Sequence, residues 1–161
     1  MSVADPQPLV DQIDLRILQA LRDHPRTNMS DLAHMANVSR PTLKSRLDRM
    51  WSNGVIIGLE PQLDLGKIGL NIQAWIQVHH SPADLDAFAS HLDSMPAVIE
   101  AFLTTGQSNV SIRVACRDLP HLADVLQEIS DPGQTKIDNS SVIIRPLVTH
   151  RKISSIDLLD L

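Results

Sequence analysis

Apolar residues in the first third of the chain recur every three or four positions, which is the spacing of amphipathic helices. Three such stretches occur, in residues 9–21, 30–36 and 39–53. Ser30 and Ser39 are the predicted caps of the second and third helices, and Pro41 suits the first turn of the third. Asn53-Gly54 supplies its C-terminal stop. Three short helices with a tight second connection indicate a helix-turn-helix.

Beyond Gly54 the pattern changes to alternating apolar and polar positions, which is typical of strands. It predicts strands in residues 70–80, 98–105, 110–116 and 137–148, and helices in residues 82–95 and 118–130. Asp118 is the expected cap of the second of these helices, and Asp131-Pro132-Gly133 is its expected end. Its predicted buried residues are Leu119, Leu122, Leu126 and Ile129.

The order strand, helix, strand, strand, helix, strand is the βαββαβ arrangement of ferredoxin-like folds. The fold class is therefore α+β. We expect an N-terminal (winged) helix-turn-helix in residues 1–60 and a ferredoxin-like domain for dimerisation and effector binding in residues 61–161.

A sheet with both helices on one face leaves its other face bare. In the first strand that face carries Trp75 between Gln73 and Gln77. Small domains rarely leave such a face in water, so these three residues predict packing against the same face of a second copy, giving a homodimer. The alternative is that residues 61–67 of the same chain cover Trp75.

Composition is that of a folded protein, with 161 residues, 43% hydrophobic and 20% charged. The net charge of -5 argues against a nucleic-acid partner when taken alone. Its distribution changes the picture, because the acidic excess lies entirely beyond residue 60. Residues 39–50 hold four basic side chains and one acidic. A phosphate backbone meets this local cluster, not the total charge.

The polar face of the third helix is the candidate DNA-binding surface. Arg40, Lys44 and Ser45 project near its N-terminal end, the end that a recognition helix inserts into the major groove. Arg49 lies to one side, where it suits a phosphate. The predicted contacts are Ser39, Arg40, Thr42, Lys44, Ser45 and Arg49. Arg46 lies beside the apolar stripe, so pairing with Asp14 or Asp31 is at least as plausible as DNA contact. A solvated charged face is the alternative for the whole cluster.

No catalytic residue, metal site or cofactor is predicted. His79 and His80 are neighbours on a strand and point to opposite faces, so they do not suit a shared metal, and surface positions are expected for the histidines. Cys116, the single cysteine, falls on the apolar side of its strand as an inert core thiol. A lone cysteine, a polar N-terminus and the lack of a long apolar run favour a cytoplasmic protein with no membrane segment.

Spaced motifs along nearly the whole chain resemble the Lrp/AsnC (leucine-responsive and asparagine regulator, feast/famine) transcription factors. They are Asp11-Gln-Ile-Asp14-Leu-Arg-Ile17-Leu18, Arg26, Asp31-Leu32-Ala33, Val38-Ser39, Arg46-Leu47-Asp48-Arg49-Met50, Asn53-Gly54-Val55-Ile56-Ile57-Gly58, Leu63-Asp64, Gly69 and Thr105-Gly106-Gln107-Ser108. The resemblance implies double-stranded DNA as a partner, dimers that can assemble further, and an amino acid or related small molecule as effector.

The resemblance also places the effector site at a turn and at the start of the last strand. The implied residues are Thr105, Gly106, Gln107, Ser108, Asn109, Asn139 and Ser141. The family's turn usually ends in aspartate where this chain has Asn109, and the residue after Gly58, commonly aromatic, is Leu59. Asn109 therefore either weakens recognition of an ammonium group or only caps the turn.

Two other functions fit the same architecture. Siroheme decarboxylases resemble this family, but their DNA-binding helix is degenerate and their haem pocket carries aromatic and histidine residues. The basic third helix and the 2% aromatic content count against that reading. A ligand-binding or assembly module without DNA affinity is the other alternative.

Overall fold

A computed structural model of the chain describes residues 9–59, 61–130 and 135–147. The chain divides into two compact units between Pro61 and Gln62. The elements in chain order are α1 (Gln12–Asp23), α2 (Met29–Met35), α3 (Arg40–Ser52), β1 (Ile72–His80), α4 (Leu85–Ser94), β2 (Val98–Leu103), β3 (Val110–Cys116), α5 (Leu119–Ser130) and β4 (Thr135–Val142). The predicted α+β class and element order are confirmed.

The first unit begins with a capping box. The Asp11 carboxylate accepts from the backbone N–H of Asp14, and the Asp14 carboxylate accepts from that of Asp11, both at 2.9 Å. The cap of α2 is Asn28, so the prediction of Ser30 was wrong. Asn28 has an extended backbone and its Oδ1 accepts from two N–H groups, whereas Ser30 already lies within the helix. Leu9 is exposed and precedes α1.

Helix α3 forms as its sequence predicts. The Ser39 hydroxyl accepts from the Thr42 N–H, Pro41 lies in the first turn, and Gly54 ends the helix with a φ of 69°. The three helices enclose an apolar core formed by Ile17, Leu32, Ala33, Ala36, Leu43, Met50 and Ile56. Residues 55–59 form no strand, so the predicted wing has no strand within the described part of this unit.

The second unit is a four-stranded sheet in the order β2-β3-β1-β4, with each neighbouring pair antiparallel. Alternate residues of the central strands, such as Ile76 and its partner Ile112, point towards the helices. Their buried partners on the helices are Phe88, Leu92, Leu122, Val125 and Ile129. Register shifts interrupt β4 opposite Gln77 and Val78, and β2 between Val98 and Glu100.

Several boundaries and two burials differ from the predictions. Strand β1 begins at Ile72, not at residue 70, and α4 begins at Leu85, not at residue 82. Strand β2 ends two residues early, at Leu103, and β4 runs from Thr135 to Val142 instead of 137–148. Leu119 is exposed because the buried stripe of α5 is spaced Leu122, Val125, Ile129, and Leu126 is only partly buried. The predicted helix end at residues 131–133 and the last predicted strand residue, Val148, lie outside the described residues.

Candidate DNA-binding surface and effector turn

The polar face of α3 is open to solvent over its whole length. All six predicted DNA contacts are exposed: Ser39, Arg40, Thr42, Lys44, Ser45 and Arg49. The Ser39 and Thr42 hydroxyls lie 2.7 Å apart, so the start of the helix is ordered by its own side chains. Buried Leu43 and Met50 fix the opposite face of α3 to the core. The unit therefore presents Arg40 and Lys44 outward on a rigid helix.

Two arginines of α3 are paired with carboxylates at the start of α1. Arg46 Nη1 donates to both oxygens of Asp11 at 2.7 Å and to Asp14 Oδ1 at 2.9 Å. Arg49 Nη2 donates to Asp14 Oδ2. The predicted pairing of Arg46 with Asp14 is confirmed, and Asp31 is not its partner. The pairing of half-exposed Arg49 with Asp14 was missed, because Arg49 was assigned to a phosphate from its position to one side of the polar face.

Hydrogen bonding to Arg46 is the largest cause of an Asp11 pKa lowered from 3.8 to about 2. The same bond raises the pKa of the Arg46 guanidinium. Both side chains therefore stay charged across the physiological range.

The sheet face away from the helices carries Trp75, half-buried, with Gln73 and Gln77 on either side along β1. A polar network crosses this face: Arg113 donates to Glu100 at 3.0 Å and to Gln73 at 2.8 Å. Gln77 donates to the Ser111 hydroxyl at 3.0 Å on the same face. The three residues predicted for the dimer interface thus share one side of the sheet with this network.

The turn between β2 and β3 is closed by its own bonds. Thr104 N–H donates to the Asn109 carbonyl at 2.8 Å, and the Thr104 hydroxyl donates to the Ser108 carbonyl at 3.1 Å. Gly106 has a φ of 128°, a backbone conformation that L side chains rarely adopt. Thr105, Gly106 and Gln107 are exposed at the tip, where their backbone groups can reach a ligand.

Asn109 is fixed to the end of β1. Its Oδ1 accepts from the His80 N–H at 2.9 Å, and its Nδ2 donates to the His80 carbonyl at 2.8 Å. An amide offers one acceptor and one donor group here, and both meet the backbone of a single residue. Of the two readings of Asn109, the geometry supports the structural one.

The turn contacts β4 through Asp138. The Ser108 hydroxyl donates to Asp138 Oδ2 at 2.9 Å, and Lys136 Nζ lies 3.0 Å from Oδ1. The pKa of Asp138 is lowered, chiefly by the hydrogen bond from Lys136 and next by the one from Ser108. Sequence reasoning missed this carboxylate, because the register shift in β4 determines which residue meets the turn.

The structure places Asn139 and Ser141 elsewhere than predicted. Asn139 is the fifth and Ser141 the seventh of the eight residues of β4, so neither lies at its start, and they pair with Gln77 and Trp75. Asn139 Nδ2 donates to the Ser141 hydroxyl at 3.0 Å. Their register positions place them on the sheet face predicted for dimerisation and not at the turn between β2 and β3.

The histidine expectation was wrong for His80, which is only 2% exposed. Its Nδ1 lies 2.7 Å from the Thr135 hydroxyl and its ring stacks on Phe88, with centroids 4.1 Å apart. His79 is exposed, so the two rings do point apart as expected. Cys116 is fully buried, and burial raises the pKa of its thiol.

Two negative findings apply to the described ranges only. No group of three His, Cys, Asp or Glu side chains there could hold a metal ion. None of the helices in those ranges is both long and apolar enough to cross a membrane. A groove of about 500 Å³ between α4 and β2 is lined by none of the residues predicted for a site.

Comparison with known proteins identifies the two units. A winged helix-turn-helix DNA-binding model matches residues 10–57, and the Lrp/AsnC ligand binding domain matches residues 73–153. The chain belongs to the Lrp/AsnC family. Its relatives include the HTH-type transcriptional regulator Rv2324 of Mycobacterium tuberculosis, 30% identical over 140 residues, which cover 86% of this chain and 95% of that protein.

Solved structures agree with this Lrp/AsnC assignment. Escherichia coli AsnC superposes with a TM-score of 0.77 and 26% identity, covering 91% of this chain and all of that one. A Neisseria meningitidis regulator, NMB0573, crystallised as an L-Met complex, gives a TM-score of 0.80 at 19% identity, with coverage of 92% and 99%. The family and the named relatives are transcriptional regulators, not enzymes, and so is this chain.

Proposed function

We propose that this Lrp/AsnC protein regulates transcription as a homodimer that reads a specific DNA sequence with α3, and that an amino acid or related small molecule modulates the binding. One observation carries the DNA part. Arg40, Lys44 and Ser45 are exposed at the N-terminal half of a helix whose other face is buried in the core. A cytoplasmic location fits this role and the reduced, buried Cys116.

Base reading by Lys44 is tested with the operator fragment that the purified protein selects from genomic DNA. Lys44→Ala should weaken binding to that fragment by about 1–3 kcal/mol and relax discrimination at one base position. Thr27→Ala, which lies outside α3, is the control and should bind normally. If the native protein and Lys44→Ala each bind the selected fragment no more tightly than scrambled DNA, α3 does not read a sequence.

The homodimer is supported by the open sheet face. Trp75 and Phe102 place two large apolar side chains on a face that the helices of the same unit do not cover. Packing this face on its copy about a two-fold axis would bury both. Two-fold symmetry then predicts half-sites about one helical turn of DNA apart, or a multiple of it.

The proposed effector site uses the turn and its neighbour on β4. A free amino acid needs an acceptor for its ammonium group and donors for its carboxylate. Asn109 is occupied by His80, whereas Asp138 has a lowered pKa and stays ionised beside Ser108. Lys136 and the backbone around Gly106 offer donors. The L-Met complex of the Neisseria relative supports this class of ligand.

Calorimetric titration with the common amino acids tests this assignment. Asp138→Asn keeps the shape of the side chain and removes the charge, so we expect roughly a tenfold or greater loss of affinity for any amino acid that the native protein binds. Asp64→Asn removes an exposed carboxylate paired with Lys67 in the same unit and should bind normally. Unchanged affinity in Asp138→Asn would exclude Asp138 as the ammonium acceptor.

A further inference from the structure

Four charged side chains connect the start of α1 to α3, and their charges sum to zero. They are Asp11, Asp14, Arg46 and Arg49. Helix α3 carries four basic residues in all, so these two carboxylates offset half of its positive charge. Neither Arg40 nor Lys44 makes an ion pair with any residue in the described ranges.

Asp14 is the centre of this network and is fully buried. Its Oδ1 accepts from Arg46, while its Oδ2 accepts from Arg49 and from the Asp11 N–H. One carboxylate therefore holds two guanidinium groups that lie three positions apart on α3. Because Asp14 belongs to α1, it also fixes the first helix to the recognition helix.

The outer surface of the network belongs to the DNA-binding face. Arg46 and Arg49 line a recess of about 470 Å³ together with Pro41, Thr42 and Ser45. Thr42, Ser45 and Arg49 are among the predicted DNA contacts, so the network restrains a residue that was predicted to meet a phosphate. A phosphate approaching this recess meets two guanidinium groups whose charge is already satisfied from behind by carboxylates. Such groups give a phosphate less electrostatic attraction than free cations would.

We propose that Asp14 is a positioning residue that limits non-specific DNA binding. It restrains Arg46 and Arg49 and offsets their charge, so that the uncompensated positive charge of α3 is concentrated at Arg40 and Lys44. Those two residues lie at the end that reads bases, and contacts with bases, not with phosphates, carry sequence information. This inference rests on the proposed DNA contacts of α3.

The test is the salt dependence of DNA binding by Asp14→Asn, measured by fluorescence anisotropy on the selected operator and on scrambled DNA. An amide has one acceptor oxygen and no charge, so Arg49 loses its ionic partner, whereas Arg46 keeps its ion pair with Asp11. One freed guanidinium that reaches a phosphate steepens the slope of log affinity against log salt by about 0.9. Scrambled DNA should then bind roughly tenfold more tightly at 0.1 M salt, and the operator-to-scrambled ratio should fall.

Two further variants make the result specific. Asp48→Asn is the matched control, because it removes the same charge from the exposed face of α3 without releasing an arginine in the described residues. Asp11→Asn keeps an N-cap side chain on α1 and weakens only the hold on Arg46. It should steepen the slope by less than Asp14→Asn but more than Asp48→Asn. If Asp14→Asn does not fold, Asp11→Asn decides alone.

Two results would overturn the proposal. If Asp14 has only a structural role, Asp14→Asn should melt at a lower temperature and bind both DNAs more weakly, and that result overturns the proposal. So does a slope no steeper than that of Asp48→Asn in a folded variant. Failure of the native protein to bind any DNA would refute the function itself. Native binding with unaltered slopes in the variants would refute only the role of Asp14.

Discussion

The two bonds between Asn109 and His80 support a structural role for residue 109, and its substitution tests this role directly. Each bond is a partly buried hydrogen bond of ordinary length, 2.9 and 2.8 Å, and such bonds contribute about 1 kcal/mol each. Asn109→Asp keeps the acceptor for the His80 N–H but directs an ionised oxygen at the His80 carbonyl. We expect a loss of about 2 kcal/mol in the free energy of unfolding.

The assay is thermal and denaturant unfolding of Asn109→Asp at pH 7 and at lower pH. A loss of about 2 kcal/mol lowers the melting temperature of a unit this size by roughly 10 °C. Protonation of the new carboxyl restores a donor to the His80 carbonyl, so the deficit should shrink as the pH falls towards 4. Asn71→Asp, at an exposed position of the same unit, is the control and should be close to native.

The same variant separates stability from effector binding. If residue 109 acts in the effector site, an aspartate there should strengthen binding of an amino acid through its ammonium group. The structural reading instead predicts no gain in calorimetric titration. A variant as stable as the native protein that binds amino acids more tightly would refute the reasoning from the His80 bonds.

Three further predictions concern assembly, pH and the thiol. Trp75→Ala should shift sedimentation at micromolar concentration from dimer towards monomer, whereas Trp51→Ala, in the first unit, should not; a native monomer would contradict the dimer. The Asp11 pKa is about 2, below its unfolded value. That carboxylate therefore stabilises the fold above about pH 4, and this stabilisation is lost as the pH falls through 2. Asp11→Asn should remove this part of the acid dependence of denaturant unfolding. Cys116 should react with a thiol reagent only on unfolding, and rapid reaction of the native protein would contradict its burial.

The elements of both units could be predicted because their signals are local. The period of apolar residues and the caps at Ser39 and Asp118 identify α3 and α5 without any tertiary information. The cap of α2 was misplaced because Asn28, Ser30 and Asp31 can all accept at a helix start. Only the extended backbone of Asn28 distinguishes it.

The side-chain pairings that were missed join positions that are far apart in the sequence. Arg49 meets Asp14 across 35 residues, and Asn109 meets His80 across 29. Asp138 meets Ser108 only because β4 contains a register shift, and a one-residue difference in register changes the face that a strand residue occupies. Alternation in the sequence therefore predicts a strand in β4 but not which of its side chains reaches the turn.

The asparagine at position 109 and the carboxylate at position 138 are physically connected. Clamping the end of β1 through both the N–H and the carbonyl of His80 needs a side chain with a donor and an acceptor, which an ionised aspartate lacks. A turn built in this way has no negative charge at position 109. Asp138 of β4, within hydrogen-bond distance of Ser108, places a negative charge beside the turn instead. Charge recognition at this turn would then depend on the register of β4, so a change that removes the shift opposite Gln77 should abolish effector binding while leaving the Asn109 clamp in place.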